Sequence, residues 1–124
     1  MPTSIRVFRA TDFIHAAPNG ELQIGRSMQV LRDIAAATRD LEDCEILLDV
    51  RRVKGVLNPQ ELWQLSQELL KHRRTFAHRT AVLCPFERFD RATFFALCAE
   101  NAGFNMQVFT SYEEAIEWLL GSVG

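Results

Sequence analysis

The sequence predicts an α/β domain in which a mixed sheet with antiparallel N-terminal edge strands is continued by helices in parallel crossovers. Three observations lead there. Short apolar runs alternate with segments of helical period, several of the helical segments carry chemically marked starts, and an Asn-Gly pair lies between strand-like runs near the amino terminus. With 124 residues, 48% hydrophobic and 24% charged, the chain has the composition of one globular domain spanning 1–124.

The elements follow in order. Ile5-Arg-Val-Phe8 alternates apolar and polar side chains, and Phe13-Ile-His-Ala16 and Glu21-Leu-Gln-Ile24 flank Pro18-Asn-Gly20. Asn and Gly both tolerate positive φ, so a tight hairpin between those two runs is expected. From Ser27 the period becomes helical through Met28, Leu31, Ile34, Ala35 and Thr38. Cys44-Glu-Ile-Leu-Leu-Asp-Val50 suits a central strand covered on both faces, with Asp49 near its carboxyl end.

The next helix is the best marked. Asn58 is the cap, Pro59 occupies the first turn, and Glu61 lies three residues after the cap, where it can bond back. Its stripe is Leu62, Leu65, Leu69 and Phe76, broadened by Trp63 and Leu70. Arg79–Cys84 is a second buried strand, stopped by Pro85. Asp90 then caps a helix through Ala92, Phe95, Ala96 and Ala99 to Gly103. Asn105–Phe109 is a further strand, and Ser111-Tyr-Glu-Glu114 opens a last helix with Tyr112, Ala115, Ile116 and Leu119 on its stripe. Strands joined by helices of this length run mostly parallel.

Several function classes are disfavoured. A formal net charge of -2 does not suit a general nucleic-acid binder, which needs excess Lys and Arg. No apolar run is long enough to cross a membrane, and Met1–Ile5 lacks a secretory n-region and h-region. Three cysteines, Cys44, Cys84 and Cys98, without C-x-x-C spacing fit reduced thiols in the cytoplasm. His15, His72 and His78 are not paired with them, so no metal site or cofactor is expected. Asp12, Asp49 and Asp90 are scattered, and no triad order or glycine-rich phosphate loop supports an enzyme.

Ile46-Leu-Leu-Asp-Val-Arg-Arg-Val-Lys-Gly-Val-Leu-Asn58, Thr80–Cys84 and Val108-Phe-Thr-Ser-Tyr-Glu-Glu-Ala-Ile-Glu-Trp-Leu119 together resemble a STAS domain of the SpoIIAA-like branch, related to anti-sigma-factor antagonists. In signalling members an Asp-Ser-Ser-Gly segment begins the helix after the central strand, and one Ser is phosphorylated. The matching region is Leu57-Asn-Pro-Gln-Glu61, where no Ser or Thr is present, and Ser66 lies two turns inside the helix. The resemblance thus implies a non-enzymatic regulatory or protein-interaction module without the phosphorylatable serine. Because the branch also resembles CRAL-TRIO lipid-transfer domains, the alternative is a carrier of a small apolar ligand, with a pocket between the sheet and the helices bearing Trp63 and Phe95.

Two groups of residues are candidate sites. Arg51, Arg52 and Lys54 follow the central strand and precede Asn58, so they can hold a carboxylate or phosphate beside the helix amides. A solvated loop is the alternative. The second basic group, His72, Arg73, Arg74, His78 and Arg79, belongs at the opposite sheet end, where a helix dipole accounts for it. Phe86, Phe89, Phe94 and Cys98 lie in a segment with more apolar surface than one stripe uses. That surplus either widens the core or serves a protein partner or a homodimer.

Overall fold

The computed structural model describes residues 5–9, 13–39 and 45–121. Its strands are β1 (Ile5–Arg9), β2 (Phe13–Pro18), β3 (Gly20–Glu21), β4 (Glu45–Asp49), β5 (Val53–Lys54), β6 (Arg79–Leu83) and β7 (Asn105–Phe109). The helices are α1 (Ile24–Ala37), α2 (Pro59–Leu69), α3 (Phe89–Asn101) and α4 (Tyr112–Leu119). Among the described residues the main sheet has the order β1-β2-β4-β6-β7. β1 pairs antiparallel with β2, from Ile5 opposite Pro18 to Arg9 opposite Ile14, and the ladders of β2 with β4, β4 with β6 and β6 with β7 are parallel.

The hairpin expected around Asn19-Gly20 does not form. Both edges of β2 are taken, one by β1 and the other by β4, so no edge is left for 21–24. Gly20, at φ 95°, instead turns the chain off the sheet. Gly20 and Glu21 pair in parallel with Val53 and Lys54, Leu22 donates its N–H to the Lys54 carbonyl at 2.7 Å, and Ile24 already belongs to α1.

Alternation along the central strands divides the core between two sheet faces. Ile14, Ala16, Ile46, Leu48, Val82 and Met106 pack with Val30, Leu31 and Ile34 of α1, Leu62, Leu65 and Leu69 of α2, and Phe95, Ala96 and Ala99 of α3. On the opposite face Phe13, Leu47, Ala81 and Leu83 meet Ala115 and Leu119 of α4. Phe76, expected on the α2 stripe, is 1% exposed but lies beyond the helix and the 3-10 turn Leu70–His72 that follows it.

The Asn58 cap forms as expected: its side-chain oxygen accepts from the Glu61 N–H at 2.8 Å, and a Glu61 carboxylate oxygen accepts from the Asn58 N–H at 3.0 Å. Asp90 does not cap α3. A 3-10 turn, Phe86–Arg88, leads into the helix, Arg88 is its N-cap, and Asp90 lies in the first turn. Gly103 does end that region, at φ 102°, with Phe104 donating to the Ala99 carbonyl at 3.0 Å.

α1 and α2 are joined by a buried carboxylate. Glu68, with a side chain 3% exposed, accepts from Arg32 Nε of α1 at 3.2 Å, lies 3.0 Å from His72 Nε2, and is 3.5 Å from Lys71 Nζ. Burial pushes its carboxyl up. The bonds with His72 and Arg32, and the charges of Arg32 and Lys71, outweigh that and hold it below the ordinary glutamate value.

Candidate functional site

The carboxyl ends of the parallel strands, where open α/β sheets commonly bind ligands, carry two features, and a third lies on the outer side of α3. The first lies on the α4 side. Asp49 ends β4 with its side chain pointing to that face, in register with Leu47. Arg51 clasps it side-on, Nε to Oδ1 at 2.9 Å and Nη2 to Oδ2 at 2.8 Å, while the Arg51 backbone N–H donates to Oδ1 at 3.1 Å. His15 Nε2 of β2 lies 3.3 Å from Oδ2, and its ring centroid is 6.4 Å from that of Tyr112. Burial alone raises the Asp49 carboxyl. The Arg51 bonds and charge and the His15 contact win, and it stays below its ordinary value.

Of the four basic and polar residues expected to gather around an anion, Arg51 is therefore turned to Asp49, and the Asn58 side chain is engaged by its own helix. Arg52 and Lys54 are exposed, the latter on β5. Sequence inspection missed His15, whose contact with Asp49 spans 34 positions.

The second feature is a pair of adjoining apolar hollows between the sheet and α1–α3, about 70 and 90 Å³. Leu22, Leu48, Val50, Val53, Leu65 and Phe95 border both. The paired β3 and β5 lie beside them, with Val53 of β5 and Leu22, which follows β3, on the border. At one rim, Arg88 Nη2 donates to the Val50 carbonyl at 2.7 Å and Arg91 Nη1 to the Leu57 carbonyl at 2.6 Å. Both ends of the Val50–Leu57 loop are thereby fastened to the start of α3. Phe95 lines the hollows as expected, but Trp63 does not: it points outward, 53% exposed. Cys84, at the end of β6, is 1% exposed and borders the larger hollow. Burial pushes its thiol up, against a smaller pull from Arg88, which favours the protonated thiol over the thiolate.

The third feature is the outer side of α3. Phe94 and Leu97 are 38% and 54% exposed, and Phe86 in the preceding turn is 83% exposed. Of the four residues expected on one interaction surface, Phe89 and Cys98 border different grooves. Phe89 borders a groove between α3 and β7 together with Thr93 and Leu97, whereas Cys98 borders one between α2 and α3 together with Trp63 and Arg73. Phe94 is one helical turn from Cys98 and shares its side.

Among the described residues no cluster of three or more His, Cys, Asp or Glu is arranged to hold a metal ion, and no helix is long and apolar enough to cross a membrane.

No family model and no curated protein matches the sequence. Solved structures do. An uncharacterized protein of the DUF3478 family from Shewanella loihica PV-4, itself described as having a SpoIIAA-like fold, is 21% identical, with a TM-score of 0.64 over 94% of this chain and 93% of its own. An anti-sigma factor antagonist from Mycobacterium paratuberculosis is 13% identical, with a TM-score of 0.66 over 95% of this chain and 94% of its own. The mostly parallel sheet, three helices on one face and α4 on the other give this chain a SpoIIAA-like fold.

Proposed function

We propose that the chain is a non-enzymatic regulatory module that works by binding another protein through the α2–α3 side, without a phosphorylated serine at the start of α2. The observation that carries this reading is the exposure of large apolar side chains there: Trp63 and Phe94 stand out of a surface whose inner faces are already filled by Leu65, Phe95 and Ala99. Such a patch costs solubility unless it is used. The fold shared with an anti-sigma factor antagonist supports the same class of role. Asn58 and Glu61 close the α2 start on each other, so the region that the STAS resemblance matches to the switch segment is taken up by a helix cap.

The test is affinity capture from a native lysate beside sizing of the pure protein, for the wild type and Phe94→Asp. Loss of a partner, or of a homodimer, in the variant with an unchanged melting temperature supports the surface. A monomer with no partner in either form counts against it.

A second reading, a carrier of a small apolar ligand, rests on the hollows beside β3 and β5. Native mass spectrometry of gently purified protein distinguishes it, because a carrier retains a bound mass and an interaction module does not.

A further inference from the structure

The two hollows differ from an ordinary packing defect in what borders them. Their walls are almost wholly apolar, yet one rim carries two cations three positions apart, Arg88 at the N-cap of α3 and Arg91 in its first turn. Each guanidinium donates to one loop carbonyl, of Val50 or of Leu57. A guanidinium has five N–H donors, so donors remain on both after those bonds. Arginine pairs of this kind match the two oxygens of a carboxylate better than any neutral head. At the other end, beside Leu31, the border includes Glu21 as well as Arg26. The charge distribution thus sets a direction, with an anionic group favoured at the rim that carries Arg88 and Arg91 over the other end, where Glu21 offsets Arg26. Size keeps the occupant small. Together the hollows, about 70 and 90 Å³, are comparable to the ~150 Å³ of an engineered apolar cavity that admits benzene.

We infer that the hollows take a short amphiphile with an anionic head, its carboxylate at Arg88 and Arg91 and its short apolar tail among Leu48, Val53, Leu65 and Phe95. This deepens the carrier reading and rests on it. Tail burial supplies the affinity, and the arginines supply the selectivity for a head group. The occupant is a single-chain acid, because a diacyl lipid is several times larger than the space.

Three eight-carbon probes separate the two layers of the claim: sodium octanoate, 1-octanol and octylammonium chloride. They are titrated at neutral pH into the full chain and followed by amide chemical shifts. The expected order is octanoate, then octanol, then octylammonium, with shifts at Val50, Val53 and Phe95 and octanoate binding about ten-fold tighter than octanol. In Arg88→Gln/Arg91→Gln that advantage disappears while octanol still binds, which also reports that the hollows remain formed. If none of the three probes binds, the carrier reading itself is overturned. If all three bind equally to the wild type, the hollows bind apolar tails but the inference about the head group is wrong. That wild-type comparison decides the matter even if the double variant does not fold.

Discussion

The start of α2 gives a prediction whose magnitude follows from two bonds. Asn58→Ala removes the acceptor for the Glu61 N–H, a 2.8 Å bond, and leaves the Glu61 carboxylate to hold the backbone N–H at 58 without its reciprocal partner. Loss of an Asn cap costs about 1 kcal/mol, within a range of roughly 0.5–2. Pro59 does not compensate, because its fixed φ favours the first turn without offering an acceptor. The cap is exposed, so water partly solvates the freed N–H, and the cost belongs near the middle of that range rather than at its top. For a domain of this size, ~1 kcal/mol corresponds to a drop in Tm of about 3–6 °C. Asn58→Asp keeps the acceptor and adds a negative charge at the positive end of the helix dipole, so it holds Tm or raises it slightly. Urea unfolding of the wild type, both variants, Glu61→Ala and the Asn58→Ala/Glu61→Ala pair completes the cycle. The single losses should not add, because each removes half of one reciprocal unit. If Asn58→Ala leaves stability unchanged within ~0.3 kcal/mol, the attribution of the α2 start to this box is refuted.

Other outcomes follow from the same coordinates. Glu68 and Asp49 both have folded-state values below the ordinary ones, so their contribution is present above the unfolded value, about 4.3 for Glu and 3.9 for Asp, and is lost as pH falls through the folded value. Glu68→Gln should therefore flatten part of the acid limb of a pH-stability curve; an unchanged limb below pH ~4.3 contradicts its role. Gly103→Ala should cost about 1–2 kcal/mol in denaturant unfolding through the φ of 102°, because the new Cβ meets only ordinary contact with Arg73 Nη1 at 3.8 Å. Cys98 should react with a thiol reagent at neutral pH well before Cys84, which is 1% exposed and whose thiol is pushed up by burial; comparable labelling rates would contradict the enclosure of Cys84.

What the sequence conveyed depended on how far apart the deciding residues lie. The cap at Asn58 was legible because its partner is three positions away. The crossover plan was legible because apolar period and element length are local properties. Asn19-Gly20 has equally clear local chemistry, but whether a hairpin closes there depends on which strands claim the edges of β2, and one of them, β4, begins at Glu45. The site was harder for the same reason. Arg88 bonds a carbonyl 38 positions away and Arg91 one 34 away, so neither was distinguishable from an ordinary surface arginine. Trp63 and Phe95 both fit apolar stripes. Only the approach of α2 to α3 decides that one faces water and the other the hollows.

The unequal covering of the sheet has a consequence for how the molecule opens. α1, α2 and α3 share one continuous core, whereas α4 is held by Ala115 and Leu119 over Leu47, Ala81 and Leu83, and by Arg79, which donates to the Trp118 carbonyl and lies 5.5 Å from the centre of the Trp118 ring. Opening free energies in such an arrangement are not uniform. α4 can leave the sheet while the three-helix side stays closed, so its amides should exchange with solvent deuterium through a partial opening, whereas those of β4 and β6 wait for global unfolding. One face of the domain should behave as a separable cooperative unit, with Arg79 among its fasteners.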